Sequence, residues 1–300
     1  MNSSTPAQGR TIVVGADGSA GAERALRWAA LEAVRTEASL HLVTVWTMPL
    51  LSWSVGVDYS HLDPVEIAAE AARTIERAHH SVEAAIGTCA VAVETSVLRG
   101  GAAEVLLRVA ADASMLVLGT RGRGGFAALV LGSVTATCAH HTPVPLAVIG
   151  PEAPAPGSGD LVVGIDDSPG GRTALRWAVA EAKRTGAAIR AVHGWQIPIT
   201  PPGVPSVGPL GDPYFAGPPR EVLERLVAEE GGVEADRPKI TLVTLSMSAP
   251  ELLIAEGKSA ALLVVGARGR GGFLGLLLGS VSQHCLHHSP CPLVIVPSES

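Results

Sequence analysis

Short runs of apolar, β-branched residues alternate along this chain with amphipathic stretches, and the strongest runs stop at glycine. Thr11–Gly15 reads as a buried parallel strand that enters the turn Gly15-Ala16-Asp17-Gly18-Ser19. From Gly21 to about Arg35, Ala25, Leu26, Ala29, Ala30 and Ala33 recur at three- and four-residue spacing, with Glu23, Arg24, Arg27 and Arg35 on other faces. That spacing predicts a helix with one stripe against a sheet. The pattern then predicts a strand over Leu40–Trp46, an alanine-rich helix around Pro64–Ala85, a strand near Val91–Leu98 and a helix near Ala102–Ala111. Met115–Gly119 is a fourth strand, a glycine loop follows, Ser133–His140 is a helix and Val144–Ile149 a fifth strand. Strands that alternate with helices pair in parallel and carry helices on both faces.

The pattern occurs twice. Val13-Val14-Gly15-Ala16-Asp17-Gly18-Ser19 with Ala25-Leu26-Arg27-Trp28-Ala29 returns as Val162-Val163-Gly164-Ile165-Asp166-Asp167-Ser168 with Ala174-Leu175-Arg176-Trp177-Ala178. Gly119-Thr120-Arg121-Gly122-Arg123-Gly124-Gly125-Phe126, closing on Leu131-Gly132-Ser133-Val134, returns as Gly266-Ala267-Arg268-Gly269-Arg270-Gly271-Gly272-Phe273, closing on Leu278-Gly279-Ser280-Val281. Solenoid repeats recur every ~20–50 residues, so a repeat near half the chain is a duplicated domain. A domain of ~150 residues buries roughly two-thirds of its unfolded surface and needs no disulfide or metal to fold. The expected division is residues 1–150 and 160–300, joined by a Pro- and Gly-rich linker over 151–159. A longer irregular stretch, Ile197–Pro219, reads as either a lid or a disordered insert; its counterpart Thr47–Asp63 has a different composition.

Composition narrows the function classes. The net charge is −6 and the basic residues are scattered, which leaves no electrostatic footprint for a phosphate backbone, so no nucleic-acid partner is expected. The polar start Met1-Asn2-Ser3-Ser4-Thr5-Pro6 and the lack of a long apolar run predict a cytoplasmic protein with no membrane insertion. The four cysteines lack CxxC spacing and read as reduced thiols. His284, Cys285, His287, His288 and Cys291 cluster in sequence, echoed by Cys138, His140 and His141. Cys291 lies beyond Pro290 in an apparent strand while the others sit on a helix, so the expectation is solvated histidines at a helix end and no metal.

Two loops carry the candidate chemistry. In an open parallel sheet, ligands bind beyond the carboxyl ends of the strands, where strand order reverses. The first and fourth strands end in the glycine-bearing turns Gly15–Ser19 and Gly119–Gly125, which flank one crevice if those strands are neighbours. Glycine permits positive φ and close approach, so consecutive N–H groups can converge on a phosphate. The loop ends at Gly132-Ser133, where a helix N-terminus adds unpaired donors and a favourable dipole. The first turns, Val134-Thr135-Ala136 and Val281-Ser282-Gln283, hold no acidic residue, and Ser133 and Ser280 read as N-caps besides. No G-x-x-x-x-G-K-[ST] occurs, and no G-x-G-x-x-G follows the first strand. Asp17 and Asp166 stand where a carboxylate accepts hydrogen bonds from a ribose hydroxyl or an adenine amine; turn capping is the competing role. Trp28 and Trp177 are read as packing residues rather than stacking platforms.

At these residues the chain resembles the tandem, ATP-binding type of universal stress protein. Members of that type carry G-x2-G-x9-G-[ST], which Gly119, Gly122, Gly132 and Ser133 match in the first copy and Gly266, Gly269, Gly279 and Ser280 in the second. The resemblance spans both copies. It implies an α/β fold of two tandem Rossmann-like domains, each an open five-stranded parallel sheet in the order 3-2-1-4-5 with helices on both faces. It implies ATP with Mg2+ as the ligand, the phosphates in the glycine loop and the adenosine over the first and fourth strands. The residues it assigns to nucleotide binding are Gly15, Asp17, Ser19, Val45, Gly119, Arg121, Gly122, Arg123, Gly132, Ser133 and Val134 in the first copy. In the second they are Gly164, Asp166, Ser168, Gly194, Gly266, Arg268, Gly269, Arg270, Gly279, Ser280 and Val281. The four loop arginines either neutralise phosphate or point to solvent, and Leu129–Leu131 and Leu276–Leu278 either close over the ligand or pack on the sheet.

No nucleophile with a paired acid occurs in both copies, so no catalytic residue is assigned; His193 stands where the first copy has Thr44. The leading expectation is a nucleotide-dependent regulator in stress or growth adaptation. A homodimer of tandem chains and a regulatory protein partner are implied by the resemblance. Two alternatives stand: a slow ATPase or phosphotransferase using Mg2+, and an interaction scaffold indifferent to nucleotide. Copy two departs at Asp167, which replaces a glycine, and at Ser246-Met247-Ser248-Ala249-Pro250, which replaces Arg99-Gly100-Gly101-Ala102-Ala103.

Overall fold

A computed structural model describes residues 10–48, 63–122, 131–154, 156–157, 159–195, 220–232, 236–269 and 277–298. The chain divides into two compact units, Met1–Pro151 and Glu152–Ser300. Unit 1 runs β1 (Thr11–Gly15), α1 (Ala20–Thr36), β2 (Ser39–Trp46), α2 (Pro64–Ile86), β3 (Val93–Arg99), α3 (Ala102–Val109), β4 (Met115–Gly119), α4 (Ser133–His141) and β5 (Leu146–Ile149). Unit 2 repeats the order with β6 (Leu161–Gly164), α5 (Pro169–Thr185), β7 (Ile189–Gly194), α6 (Arg220–Glu230), β8 (Ile240–Leu245), α7 (Ala249–Gly257), β9 (Leu262–Gly266), α8 (Ser280–His288) and β10 (Leu293–Val296). The stretch Ile197–Pro219 and the arginines Arg123 and Arg270 lie outside the described residues.

Within unit 1 all pairing is parallel, in the order β3-β2-β1-β4-β5. Unit 2 pairs likewise, as β8-β7-β6-β9-β10. Each is the expected 3-2-1-4-5 sheet, with the reversal between the first and fourth strands. The apolar runs explain the positions: β4 and β9 are buried along their whole length, whereas β3 at a sheet edge is half exposed. α1 packs on α2 over one face and α3 on α4 over the other; unit 2 pairs α5 with α6 and α7 with α8. The alanine stripe of α1 is fully buried at Ala25, Ala29, Ala30 and Ala33, which lets the helix lie close on the sheet. Each fully buried Leu, such as Leu116 or Leu175, contributes roughly 2 kcal/mol. Trp28 is 4% exposed and packs in this layer, as expected.

The helices begin where their caps dictate. Ser19 Oγ accepts from Ala22 N at 3.1 Å, and Ser168 Oγ from Gly171 N at 3.0 Å, fixing the starts of α1 and α5. Asp63 Oδ1 does the same for Val65 N at 2.8 Å, with Pro64 as first helical residue of α2.

Candidate functional site

In unit 1 the ends of β1 and β4 share a crevice because two backbones touch. A Cβ on Gly119 would lie 2.9 Å from Gly21 Cα, and one on Gly21 would run into the Arg121 carbonyl. Gly266 and Gly170 repeat the contact, a Cβ on Gly266 falling 3.0 Å from Gly170 Cα. Gly21 and Gly170 were not among the sequence candidates, yet they bring the loops together. Their signal was present, since each follows the capping serine by two residues in both copies.

The turn after β1 is held by Asp17, whose Oδ1 accepts from Ser19 N at 2.9 Å; Gly18 takes φ 74°. A Cβ on Gly122 would strike Asp17 Oδ2, so the second glycine of the motif lies directly on the carboxylate. In unit 2, Asp166 Oδ1 accepts from Ser168 N at 3.1 Å and from Ser168 Oγ at 2.5 Å, and a Cβ on Gly269 would sit 2.6 Å from Oδ2. Turn capping and a place in the cleft are thus both served by one carboxylate. Ser19 and Ser168 are occupied as helix caps and do not line the clefts; Ser19 Oγ also donates to the Arg121 carbonyl at 3.2 Å.

The glycine loop returns to the sheet through the start of α4. Gly132 N donates to Thr120 O at 2.7 Å and Thr135 Oγ1 to Gly119 O at 2.8 Å; Gly279 N to Ala267 O at 2.7 Å and Ser282 Oγ to Gly266 O at 2.6 Å are their counterparts. The first helical hydrogen bond, Ala136 N to Gly132 O at 3.0 Å, makes Gly132 the N-cap. Ser133 and Ser280 are therefore first helical residues, and the expected serine caps are glycines at 132 and 279 with no side-chain cap bond. An N-terminus capped by glycine leaves its first-turn N–H groups without a side-chain acceptor and carries the positive end of the dipole.

Gly15, Asp17, Val45, Gly119, Arg121, Gly122, Gly132, Ser133 and Val134 line one cleft of about 380 Å³, together with Leu106, Leu118, Leu131 and Thr135. Asp17 and Arg121 are its charged residues among those described. Gly164, Asp166, Gly194, Gly266, Arg268, Gly269, Gly279, Ser280 and Val281 line the unit 2 cleft, of about 200 Å³. Of the apolar residues flanking the loops, Leu131 lines its cleft, Leu278 is buried at 3% exposure and Leu277 is exposed, while Leu129, Val130 and Leu276 lie outside the described residues.

Unit 2 differs around its turn. Asp167 takes the left-handed φ of 57° that Gly18 takes in unit 1, and Arg172 binds it, with Nη2 2.6 Å from Oδ1. Arg172 also reaches Glu229 at 2.9 Å and Glu230 at 3.3 Å on α6, and these carboxylates raise its pKa further. His193 and Thr44 do one job: Thr44 Oγ1 donates to Ala16 O at 2.7 Å, and His193 Nδ1 lies 2.8 Å from Ile165 O. A carbonyl only accepts, so Nδ1 carries the proton there.

The histidine and cysteine cluster separates. His284 and His288 are exposed or half-exposed with ring centroids 4.6 Å apart, whereas Cys285 and Cys291 are buried. Burial raises the Cys138 and Cys285 thiols to about 12 and Cys291 to about 11. No group of three His, Cys, Asp or Glu suited to a metal occurs among the described residues. No helix among them is long and apolar enough to cross a membrane.

Paired clefts at the carboxyl ends of parallel strands, each beside a glycine loop and a helix N-terminus, define the class as Rossmann-like α/β domains with a cleft at each switch point. Sequence comparison adds the family: the model of the Universal stress protein family matches residues 9–150 and 159–297, and the chain belongs to that family. A universal stress protein of Mycolicibacterium smegmatis is 33% identical over 292 residues, covering 95% of this chain and 96% of its own. One from Mycobacterium tuberculosis is 33% identical over 309 residues, covering 95% and 94%. The crystal structure of an Archaeoglobus fulgidus universal stress protein shares the fold at TM-score 0.70 and 18% identity, over 98% of this chain and 100% of that one.

Proposed function

We propose that this universal stress protein binds ATP and that the bound nucleotide sets which conformation or partner surface it presents. The observation that carries this reading is the start of α4: a glycine cap, no acidic residue in the first turn, and Gly122 packed on Asp17 across the same cleft. Such an N-terminus favours the charge of phosphates. Asp17 lies where it can accept from ribose hydroxyls, and Val45 lines the same cleft, where adenine would rest. Arg121 supplies one cation. With Asp17 as the only carboxylate among the described lining residues, Mg2+ would ride mainly on the phosphates rather than in a protein cage. Mg2+ would there neutralise phosphate charge.

The test is to denature purified protein and to identify any released nucleotide by chromatography, before and after incubation with Mg-ATP. Retained ATP is the expected result. No retained nucleotide after incubation would overturn the reading in favour of a nucleotide-independent scaffold. Conversion of the retained ATP to ADP over a long incubation would favour the slow ATPase instead.

A further inference from the structure

The histidines of the two units are not alike in what their rings touch. On α2, His79 Nε2 and His80 Nδ1 both lie against Glu83, at 3.3 and 3.2 Å. His41 Nε2 lies 2.8 Å from Ser96 Oγ, and His193 Nδ1 lies against the Ile165 carbonyl. His140 and His141 follow one another in sequence, with ring centroids 6.4 Å apart. His284 and His288 differ from all of these. Both are exposed, His288 closes α8 and His284 lies four residues before it, and their ring centroids are 4.6 Å apart with planes inclined by 42°. Residues four apart share one face of a helix. Neither ring has a hydrogen-bond or ion-pair partner among the described residues.

That spacing has a chemical meaning. A divalent transition metal sits about 2.0–2.1 Å from an imidazole nitrogen, with the ring centroid about 1.1 Å behind it; two imidazoles on one ion therefore hold their centroids roughly 4.5 Å apart at a right angle and roughly 5.1 Å apart at the tetrahedral angle. The observed 4.6 Å matches the right angle. Right-angled nitrogen ligands suit the tetragonal sites of Cu2+ and Ni2+, whereas Zn2+ prefers the tetrahedron, and Cu2+ heads the affinity order for such ligands. The χ2 torsion of histidine is broad, so each ring can turn a nitrogen toward a shared ion while the helix stays in place. The setting also favours a cation: the pair lies at the C-terminal, negative end of the α8 dipole, and the helix carries no Lys or Arg.

We infer that His284 and His288 chelate one divalent transition-metal cation, of the Cu2+ and Ni2+ type, from consecutive turns of α8. Two protein ligands, with water in the remaining positions, make an exchangeable site rather than a structural one. Cys285 and Cys291 are buried and take no part, so this is not the closed four-ligand site that the sequence argues against. Unit 1 lacks the pair, because Thr137 stands where unit 2 has His284, although His141 matches His288.

The test is calorimetric titration of the full chain, free of any affinity tag, with CuCl2, NiCl2 and ZnCl2 in a non-coordinating buffer, followed by electron paramagnetic resonance of the Cu2+-loaded protein. The expected result is a tight Cu2+ site with two equatorial nitrogens, and Zn2+ held at least about tenfold more weakly. His284→Thr, which installs the unit 1 residue, and His288→Ala should each weaken Cu2+ binding at least about tenfold, since losing one arm ends the chelate. His141→Ala in unit 1 should change nothing. Both ligands are exposed, so the variants should fold, which circular dichroism checks. Cu2+ held as tightly by His284→Thr as by the unaltered chain, Zn2+ held as tightly as Cu2+, or no Cu2+ bound at micromolar concentration would overturn the inference.

Discussion

The clefts of the two units share their glycine-loop end and differ in size. Both have a glycine cap on the helix after the loop, a carboxylate against the second motif glycine and a hydroxyl returning to the carbonyl at the end of the fourth strand. Unit 1 adds one ladder pair, Trp46↔Arg99, and its cleft is the larger, about 380 Å³ against about 200 Å³. Motif identity therefore fixes the loop and says little about the size of the cleft beside it. A duplicated domain can keep its motif and change its cleft through residues that no motif contains.

The comparison breaks most sharply at the loop glycines. Gly122→Leu places a side chain on the Asp17 carboxylate, and affinity for Mg-ATP should fall at least about 100-fold by calorimetry, because blocked space costs the phosphate contacts together. Asp17→Ala removes an acceptor from charged hydrogen bonds worth about 1.5–3 kcal/mol, so a loss of roughly 10- to 100-fold is expected in the same assay. Arg99→Ser gives unit 1 the unit 2 residue; losing a cation–π contact worth about 0.5–1 kcal/mol should weaken binding roughly two- to fivefold. Unchanged affinity there would show that the wall is held by something other than the Arg99–Trp46 pair.

Two smaller effects sharpen the contrast between the units. Asp167→Gly relieves a left-handed φ but removes a partly exposed ion pair with Arg172, so urea unfolding should shift by no more than about 1 kcal/mol. Burial raises the thiols of Cys138, Cys285 and Cys291 to about 12, 12 and 11, leaving them protonated at pH 8, whereas Cys89 is exposed. A disulfide reagent at pH 8 should titrate one thiol in the native chain, in unit 1, and all four after unfolding. Reaction should rise as the pH approaches those values, since only thiolate attacks.

Much of this architecture was legible in the sequence because β-branched runs and alanine stripes are enforced by burial. Thr11–Gly15 and Met115–Gly119 were read with the bounds they have, and other elements differ by a residue or two at their ends. Serine at the start of α4 misled because Ser is a favoured N-cap. There the return of Thr135 to the Gly119 carbonyl and of Gly132 to Thr120 fixes the cap one residue earlier. Gly21 recurs in both copies two residues after the capping serine, but its contact with the Arg121 carbonyl could not be read from that, since close approach depends on which loops the fold brings together. The smaller cleft of unit 2 escaped for the same reason. The substitution of Gly194 for Val45 is visible in the sequence, but its effect depends on where the neighbouring ladder ends.

The most direct measurement is peptide-resolved amide hydrogen exchange of the full chain with and without saturating Mg-ATP. The account predicts slowed exchange in peptides covering Ala16–Ala22 and Gly132–Ala136, which line the unit 1 cleft or cap its helices. Exchange unchanged by Mg-ATP in these peptides would contradict nucleotide binding at the glycine loop.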